Sequence, residues 1–286
     1  MADGILNSIS KFMSDFSATG KSVAKLVLTS RRPTVSRADS VDRPLIVLGN
    51  GPSLRDNLRE NMSLLKQTPT LAVNFFANAP EYAEVKPRYY VLADPHFFSA
   101  AGTDSNVDKL WENLRATTWP MTLFVPARFR RLLPDTIASS VKTEFFNFVG
   151  IEGFRWFERW AWRKGLGMPR PRNVLIPSLM VAMAMGYRTI YILGADHSWT
   201  KTLSVTDDNT VVSVQPHFYA DNSGEKERVS SVYAGVRLHQ VLESMVIAFR
   251  SYHRISGYAE SSGISIYNST PGSMIDAFER SPLPSN

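Results

Sequence analysis

Residues 178–199, SLMVAMAMGYRTIYILGADHSW, run without interruption from an apolar segment through glycine into a short apolar strand and a polar turn. Pro177–Met185 followed by Gly186 reads as a helix ended by glycine, since glycine takes the left-handed conformation that closes helices at little cost. Thr189–Leu193 (TIYIL) is the clearest of a set of strand-like runs that also includes Leu45–Leu48, Thr70–Val73, Tyr89–Leu92 and Thr122–Val125. Each is apolar and too short for a typical helix, the pattern of a strand buried on both faces. Strands alternating with helices predict an α/β fold: a Rossmann-like, mostly parallel sheet with helices on both faces. Such sheets bind ligands at the carboxyl ends of their strands, so the turns after Leu48, Val73, Leu92 and Leu193 are where chemistry is expected.

Towards the C-terminus, Thr200–Val229 is polar, carries Asp207-Asp208-Asn209 as a turn and predicts a long loop, a lid subdomain around residues 200–230. Residues 232–254 return to a helical pattern through Val236, Val241, Met245 and Phe249, and Ile264–Tyr267 reads as a last strand. Towards the N-terminus, Ile5, Leu6, Ile9, Phe12, Met13 and Phe16 recur at helical spacing, and Asp15 is the only acid between Ser10 and Arg37. Residues 1–36 are thus a basic, amphipathic appendage and linker. Two readings stay open for it: a helix lying on an anionic membrane surface, or a docking helix followed by a flexible linker. Residues 37–286 are expected to form one domain.

The 286 residues are 44% hydrophobic and carry 32 Lys and Arg against 26 Asp and Glu, enough apolar content for a sizeable core and only a modest basic surplus. Disorder is excluded as a description of the whole. The absence of cysteine removes disulfide frameworks, thiol nucleophiles, Cys-ligated zinc and iron–sulfur clusters. No window of about 18 or more apolar residues occurs, and MADGILNSISKFMSDF lacks the features of an export signal. The expected location is cytoplasmic. Gly153–Arg172 gathers three of the six tryptophans with Arg155, Arg159, Arg163, Lys164, Arg170 and Arg172, which suits lipid headgroups, a sugar or a phosphate, or else a packed helix with a solvated basic side. The charge balance and the lack of any recognised RNA-binding motif argue against nucleic acid.

Gly49-Asn50-Gly51-Pro52-Ser53-Leu54 follows the first strand, where glycines admit a ligand to the backbone and a helix start attracts phosphate. It is not the GxGxxG fingerprint, because Leu54 holds the third glycine position. Gly20-Lys21-Ser22 is not a Walker A site, because Asp15 stands where the first glycine belongs. Asn74 and Asp94 end the next strands, and either could bind a ligand or merely make a turn or cap a helix. His96 has packing as its commoner fate. Asp196-His197 ends the strong strand and His217 with Tyr219 lies in the lid. As a metal site this set is weak, and the chain has no Asp-x-Asp.

LIVLGNGPSL, the strand-end VNFF, YYVLADPHFF, SLMVAMAMGYRTIYILGADHSW and the late YNSTPGS resemble, in order and spacing, the bacterial sialyltransferases of glycosyltransferase family 42. The broader MptE-like group takes its name from an archaeal pterin pyrophosphokinase. The resemblance runs from about Arg43 to Phe278 and implies a GT-A-like variant of the fold. It also implies that Gly49, Asn50, Gly51, Ser53, Asn74 and Asp94 hold a cytidine monophosphate sugar, that Asn173 and Asp196 line the donor site, and that Ser269, Thr270, Gly272 and Ser273 form a donor loop. The family's Asn stands where this chain has Asp94, and Ser198-Trp199 replaces a family Tyr that steadies the leaving phosphate, a role left to Tyr219 or to groups elsewhere. The family's lid base corresponds to His217, with His197 as rival; a neutral imidazole can take the proton of an acceptor hydroxyl.

The expected activity is an inverting, metal-independent glycosyltransferase. It would move a nonulosonic acid from its cytidine monophosphate carrier to a sugar hydroxyl of a lipid-linked precursor of lipopolysaccharide or capsule. It would need no cofactor, and the N-terminal helix and Trp/Arg segment would hold it at the inner face of the cytoplasmic membrane. A homo-oligomer is compatible with the sequence. The rivals are a magnesium- and ATP-dependent pyrophosphokinase and a non-catalytic nucleotide-binding module.

Overall fold

The computed structural model describes residues 2–39, 41–134, 136–213, 218 and 235–284. The apolar runs form strands: β1 Leu45–Leu48, β2 Thr70–Val73, β3 Tyr89–Val91, β4 Met121–Pro126, β5 Val141–Phe146 and β6 Thr189–Leu193. A hairpin, β7 Leu203–Val205 and β8 Val211–Ser213, precedes β9 Ser265–Asn268 and the short β10 Glu279–Arg280. Eight of these make one sheet in the order β10-β9-β6-β1-β2-β3-β4-β5, every neighbouring pair parallel. The expected α/β, Rossmann-like fold is what the chain adopts. Residues 203–213, expected as loop, are instead a hairpin around the Asp207-Asp208-Asn209 turn, with Thr206 and Thr210 bonded across it.

Helices are α1 Ala2–Thr29, α2 Leu54–Gln67, α3 Tyr82–Val85, α4 His96–Ser99, α5 Ser105–Arg115, α6 Arg155–Arg163, α7 Leu175–Ala184 and α8 Leu238–Ser261. Alternation along β1 shows why the sheet is covered twice. Leu45 and Val47 pack with α6, α7 and α8, whereas Ile46 and Leu48 pack with α2 and α5 on the opposite face. α7 is buried at every residue from Leu175 to Met183, and Gly186 ends the segment at φ +98°. Chain order reverses between β6 and β1. In open parallel sheets that switch point opens a crevice at the carboxyl ends of the strands.

β5 would be an open edge, but residues 31–36 run along it. Thr34 N donates to Phe145 O at 2.8 Å, Phe145 N to Thr34 Oγ1 at 2.8 Å, and Ser36 N to the Glu144 carboxylate at 2.7 Å. Asn147 ties in Arg31 by its N–H and C=O. The preceding helix lies against the α6 entry: Ser22 Oγ donates to Glu152 O at 2.7 Å, and Thr19 Oγ1 accepts from Phe154 N at 3.0 Å. No helix among the described residues is long and apolar enough to cross a membrane.

Candidate functional site

A cleft of about 150 Å³ opens at the carboxyl ends of β1, β2 and β6, at the switch point of the sheet. Of the residues expected from sequence, it brings together Gly49, Asn50, Gly51, Asn74, Asn173, Asp196 and His197, with Trp199 added at its wall.

The glycine turn is built for packing against the turn after β6. Gly49 N donates to Leu193 O at 2.7 Å and Gly51 N to Gly194 O at 2.8 Å. A Cβ on Gly51 would stand 1.9 Å from Asp196 Oδ2, and one on Gly49 2.4 Å from Gly194 O. Ser53 N and Oγ both donate to the Asp196 carboxylate, at 3.3 and 2.8 Å. The N–H groups of Gly49, Gly51 and Ser53 already have partners, Pro52 has none to give, and Asp196 supplies the negative charge at the start of α2.

The asparagines behave differently. Asn50 Nδ2 donates to Val73 O at 3.2 Å, which leaves Oδ1 buried without a partner. Asn74 sits at φ +51°, its backbone oxygen taken by the Tyr90 hydroxyl at 2.6 Å, and its side-chain Oδ1 is also buried and unpartnered. Asn173 Oδ1 accepts from Leu175 N at 3.0 Å and from Tyr252 Oη at 2.8 Å, leaving Nδ2 alone. These are three of the four buried side-chain polar atoms without a partner among the described residues. Each carries a cost on the order of 1–3 kcal/mol unless something fills it, and all three residues line the cleft.

His197, at φ +50°, completes the set. Its Nε2 lies 2.5 Å from Tyr252 Oη, and Trp199, Phe249 and Tyr252 surround the ring. Leu175 N fixes which atom of the Asn173 amide faces Tyr252, so the Tyr252 hydroxyl donates to Asn173 Oδ1 and His197 Nε2 carries the proton donated to Tyr252. Nδ1 is then a bare acceptor. Burial pushes the imidazole pKa down to about 3 and the Tyr252 hydroxyl well above its usual range, so both stay neutral. Tyr252 was not singled out from the sequence, although it lies three residues after Phe249 on the apolar face of α8.

Several expected residues lie elsewhere. Asp94 is exposed and closes the turn leading into α4, accepting from His96 N at 2.9 Å. His96 pairs with Asp104 at 2.9 Å. The late loop braces the turn after β6: Thr270 Oγ1 accepts from Ala195 N at 3.0 Å, Ser273 Oγ donates to Ala195 O at 2.7 Å, and Ser269 Oγ donates to Ser281 O at 2.7 Å. Gly272 turns this loop at φ +66°. The hydroxyls of Ser269, Thr270 and Ser273 have protein partners. His217 and Tyr219 lie outside the described residues. Phe218, between them, donates its N–H to Asn50 O at 3.1 Å and buries its ring beside Phe76. Among the described residues, no three His, Asp or Glu side chains converge as metal ligands would.

No protein-family profile and no curated protein matches the chain. Among solved structures, 88% of the chain aligns with the MAf glycosyltransferase from Magnetospirillum magneticum AMB-1, with a TM-score of 0.47 and 11% identity. The aligned region covers 35% of that protein, and likeness at this level carries no functional argument. The resemblance to glycosyltransferase family 42 rests on the motifs quoted above.

Proposed function

We propose that the chain is a glycosyltransferase of the sialyltransferase kind, taking a nonulosonic acid from a cytidine monophosphate donor and passing it to a sugar hydroxyl. The observation that carries this reading is the cleft at the switch point, where Asn50 Oδ1, Asn74 Oδ1 and Asn173 Nδ2 wait beside a neutral imidazole. Two acceptors and a donor in a water-poor site match uncharged, hydrogen-bonding groups such as a ribose diol or a pyrimidine edge. With Asp196 at the start of α2, the phosphate belongs further out, where Arg172 is exposed one residue before Asn173.

In this reading His197 accepts a hydroxyl proton in a hydrogen bond through Nδ1 and orients that hydroxyl. The burial that lowers its pKa weakens it as a base. The base is assigned to His217 by resemblance. A cytidine monophosphate leaving group needs only hydroxyl and amide donors to stabilise its charge, which makes catalysis without metal feasible.

The test is a thermal-shift series with cytidine, cytidine monophosphate, cytidine diphosphate, uridine diphosphate and ATP, each with EDTA and with magnesium. Cytidine monophosphate at about 100 times its dissociation constant should add roughly 2.7 kcal/mol in EDTA. Stabilisation by ATP alone, and only with magnesium, would replace this reading with the pyrophosphokinase. If binding holds, His217→Ala should keep donor affinity and stop sugar transfer; retained transfer would remove His217 from the mechanism.

A further inference from the structure

A second cavity, of about 410 Å³, lies between α1, α6 and α8 and has a different chemistry. Five cations face it: Lys11 of α1, Arg155 and Arg159 of α6, and Arg250 and Arg254 of α8, against the carboxylates of Asp15 and Glu158. Glu158 is buried and ion-paired with Arg254, so that pair is internally balanced. Among the described residues Arg159 reaches only a carbonyl, Gly257 O at 3.4 Å. Lys11, Arg155 and Arg250 have no ion-pair partner among the described residues. Trp162 also lines the cavity; it is only 5% exposed, and its indole N–H is the remaining buried polar atom without a partner. Guanidinium and ammonium groups that outnumber the carboxylates around them are the complement of an oxyanion.

The surroundings tell which oxyanion. Lys11, Asp15, Thr19 and Ser22 turn one side of α1 to the domain, while Leu6, Ile9, Met13 and Phe16 form a stripe on another side, each more than half exposed. Val23 and Val27 extend that stripe. On α6, Trp156 is 69% and Trp160 40% exposed, one helical turn apart. Apolar side chains left in water beside a basic cavity are what an interfacial helix presents to lipid, with tryptophan at headgroup depth.

We propose that the α1–α6 face docks on an anionic phospholipid surface. The apolar stripe enters the acyl boundary, and the cavity between α1, α6 and α8 receives a lipid phosphate. A free phosphate ester would satisfy the cavity but leave the stripe and both tryptophans in water, which favours the lipid. This inference stands apart from the nucleotide cleft, since neither depends on the other's ligand.

Flotation of the full chain with phosphatidylcholine vesicles, with and without phosphatidylglycerol, tests it, with free glycerol 3-phosphate as a parallel thermal-shift ligand. The expected result is flotation with the anionic vesicles alone. Each basic residue near such a surface contributes about a fivefold gain in partitioning, so R155E/R250E should lose at least that much. Met13→Glu should lose flotation without emptying the cavity. Circular dichroism and thermal unfolding report that both variants remain folded. Flotation unchanged in R155E/R250E, equal flotation with neutral vesicles, or glycerol phosphate binding without flotation would each overturn the proposal.

Discussion

The backbone turn at Gly49–Ser53 and the amides of Asn50, Asn74 and Asn173 meet in one cleft, yet they stand in opposite conditions. In the turn, the N–H groups of Gly49, Gly51 and Ser53 all bond within the protein. The amides each keep one buried atom with no partner. Residue type does not separate structure from recognition here; the presence or absence of a protein partner does. A committed polar group stabilises the fold, whereas an uncommitted one in a buried wall is a standing cost that a ligand removes.

The sharpest break of this comparison is Gly51→Ala. Its methyl would press on Asp196 Oδ2 and Gly194 O, both in the brace between the turns, so chemical denaturation should show a loss of about 3 kcal/mol or more. Preserved stability would mean that the two turns are not locked together. Acid is the next probe. The native pKa of His197 is near 3, below the usual value of 6.5, so the unfolded state binds its proton first as pH falls. The stability owed to its neutral form is complete above about pH 6.5 and is lost progressively towards pH 3. His197→Gln should flatten this part of the stability profile; an unchanged slope would show that other groups set it.

Ser273→Ala comes third. It removes the hydroxyl that serves Ala195 O, Asn268 Nδ2 and Ile275 N and should cost about 1–3 kcal/mol with little change in cytidine monophosphate affinity. An affinity loss larger than the stability loss would return the late loop to the ligand site. The smallest stability effect is expected from Asn74→Gly. Glycine accepts φ +51° without strain and deletes an unpartnered oxygen, so stability should stay level or rise by about 0.5–1 kcal/mol. Nucleotide affinity should fall about tenfold, the value of one net hydrogen bond in a dry site. A variant that binds as well as the parent chain would remove Asn74 from recognition.

The sequence discloses the centre of the sheet and hides its margins. β1 and β2 are buried at every position and β4 and β6 at most, so they read as continuous apolar runs. β5 (VKTEFF) escaped detection because Lys142 and Glu144 interrupt it; that pair meets at 2.5 Å on the margin, and the partner covering the edge is more than a hundred residues away. β7 and β8 are three residues each and leave little pattern. In the cleft, Asn50, Asn74 and Asn173 were reachable from strand ends and the resemblance, but which of their atoms lack partners is a property of packing alone. The same applies to Ser269, Thr270 and Ser273, which sequence cannot distinguish from ligand-binding hydroxyls until Ala195 and Ser281 are seen to engage them.

The segment along β5 bears on how the chain comes into being. Thr34 and its partner Phe145 are 111 positions apart, and the covering segment is the earlier of the two. During synthesis, at roughly 5–20 residues per second, residues 31–36 therefore leave the ribosome several seconds before β5 does. They are already present when the strand that needs them emerges. The β5 edge of the growing sheet is met by its own chain before a neighbouring nascent chain can add a strand there. A version circularly permuted to place residues 1–36 last would reverse that order of arrival and leave the edge open through most of its synthesis.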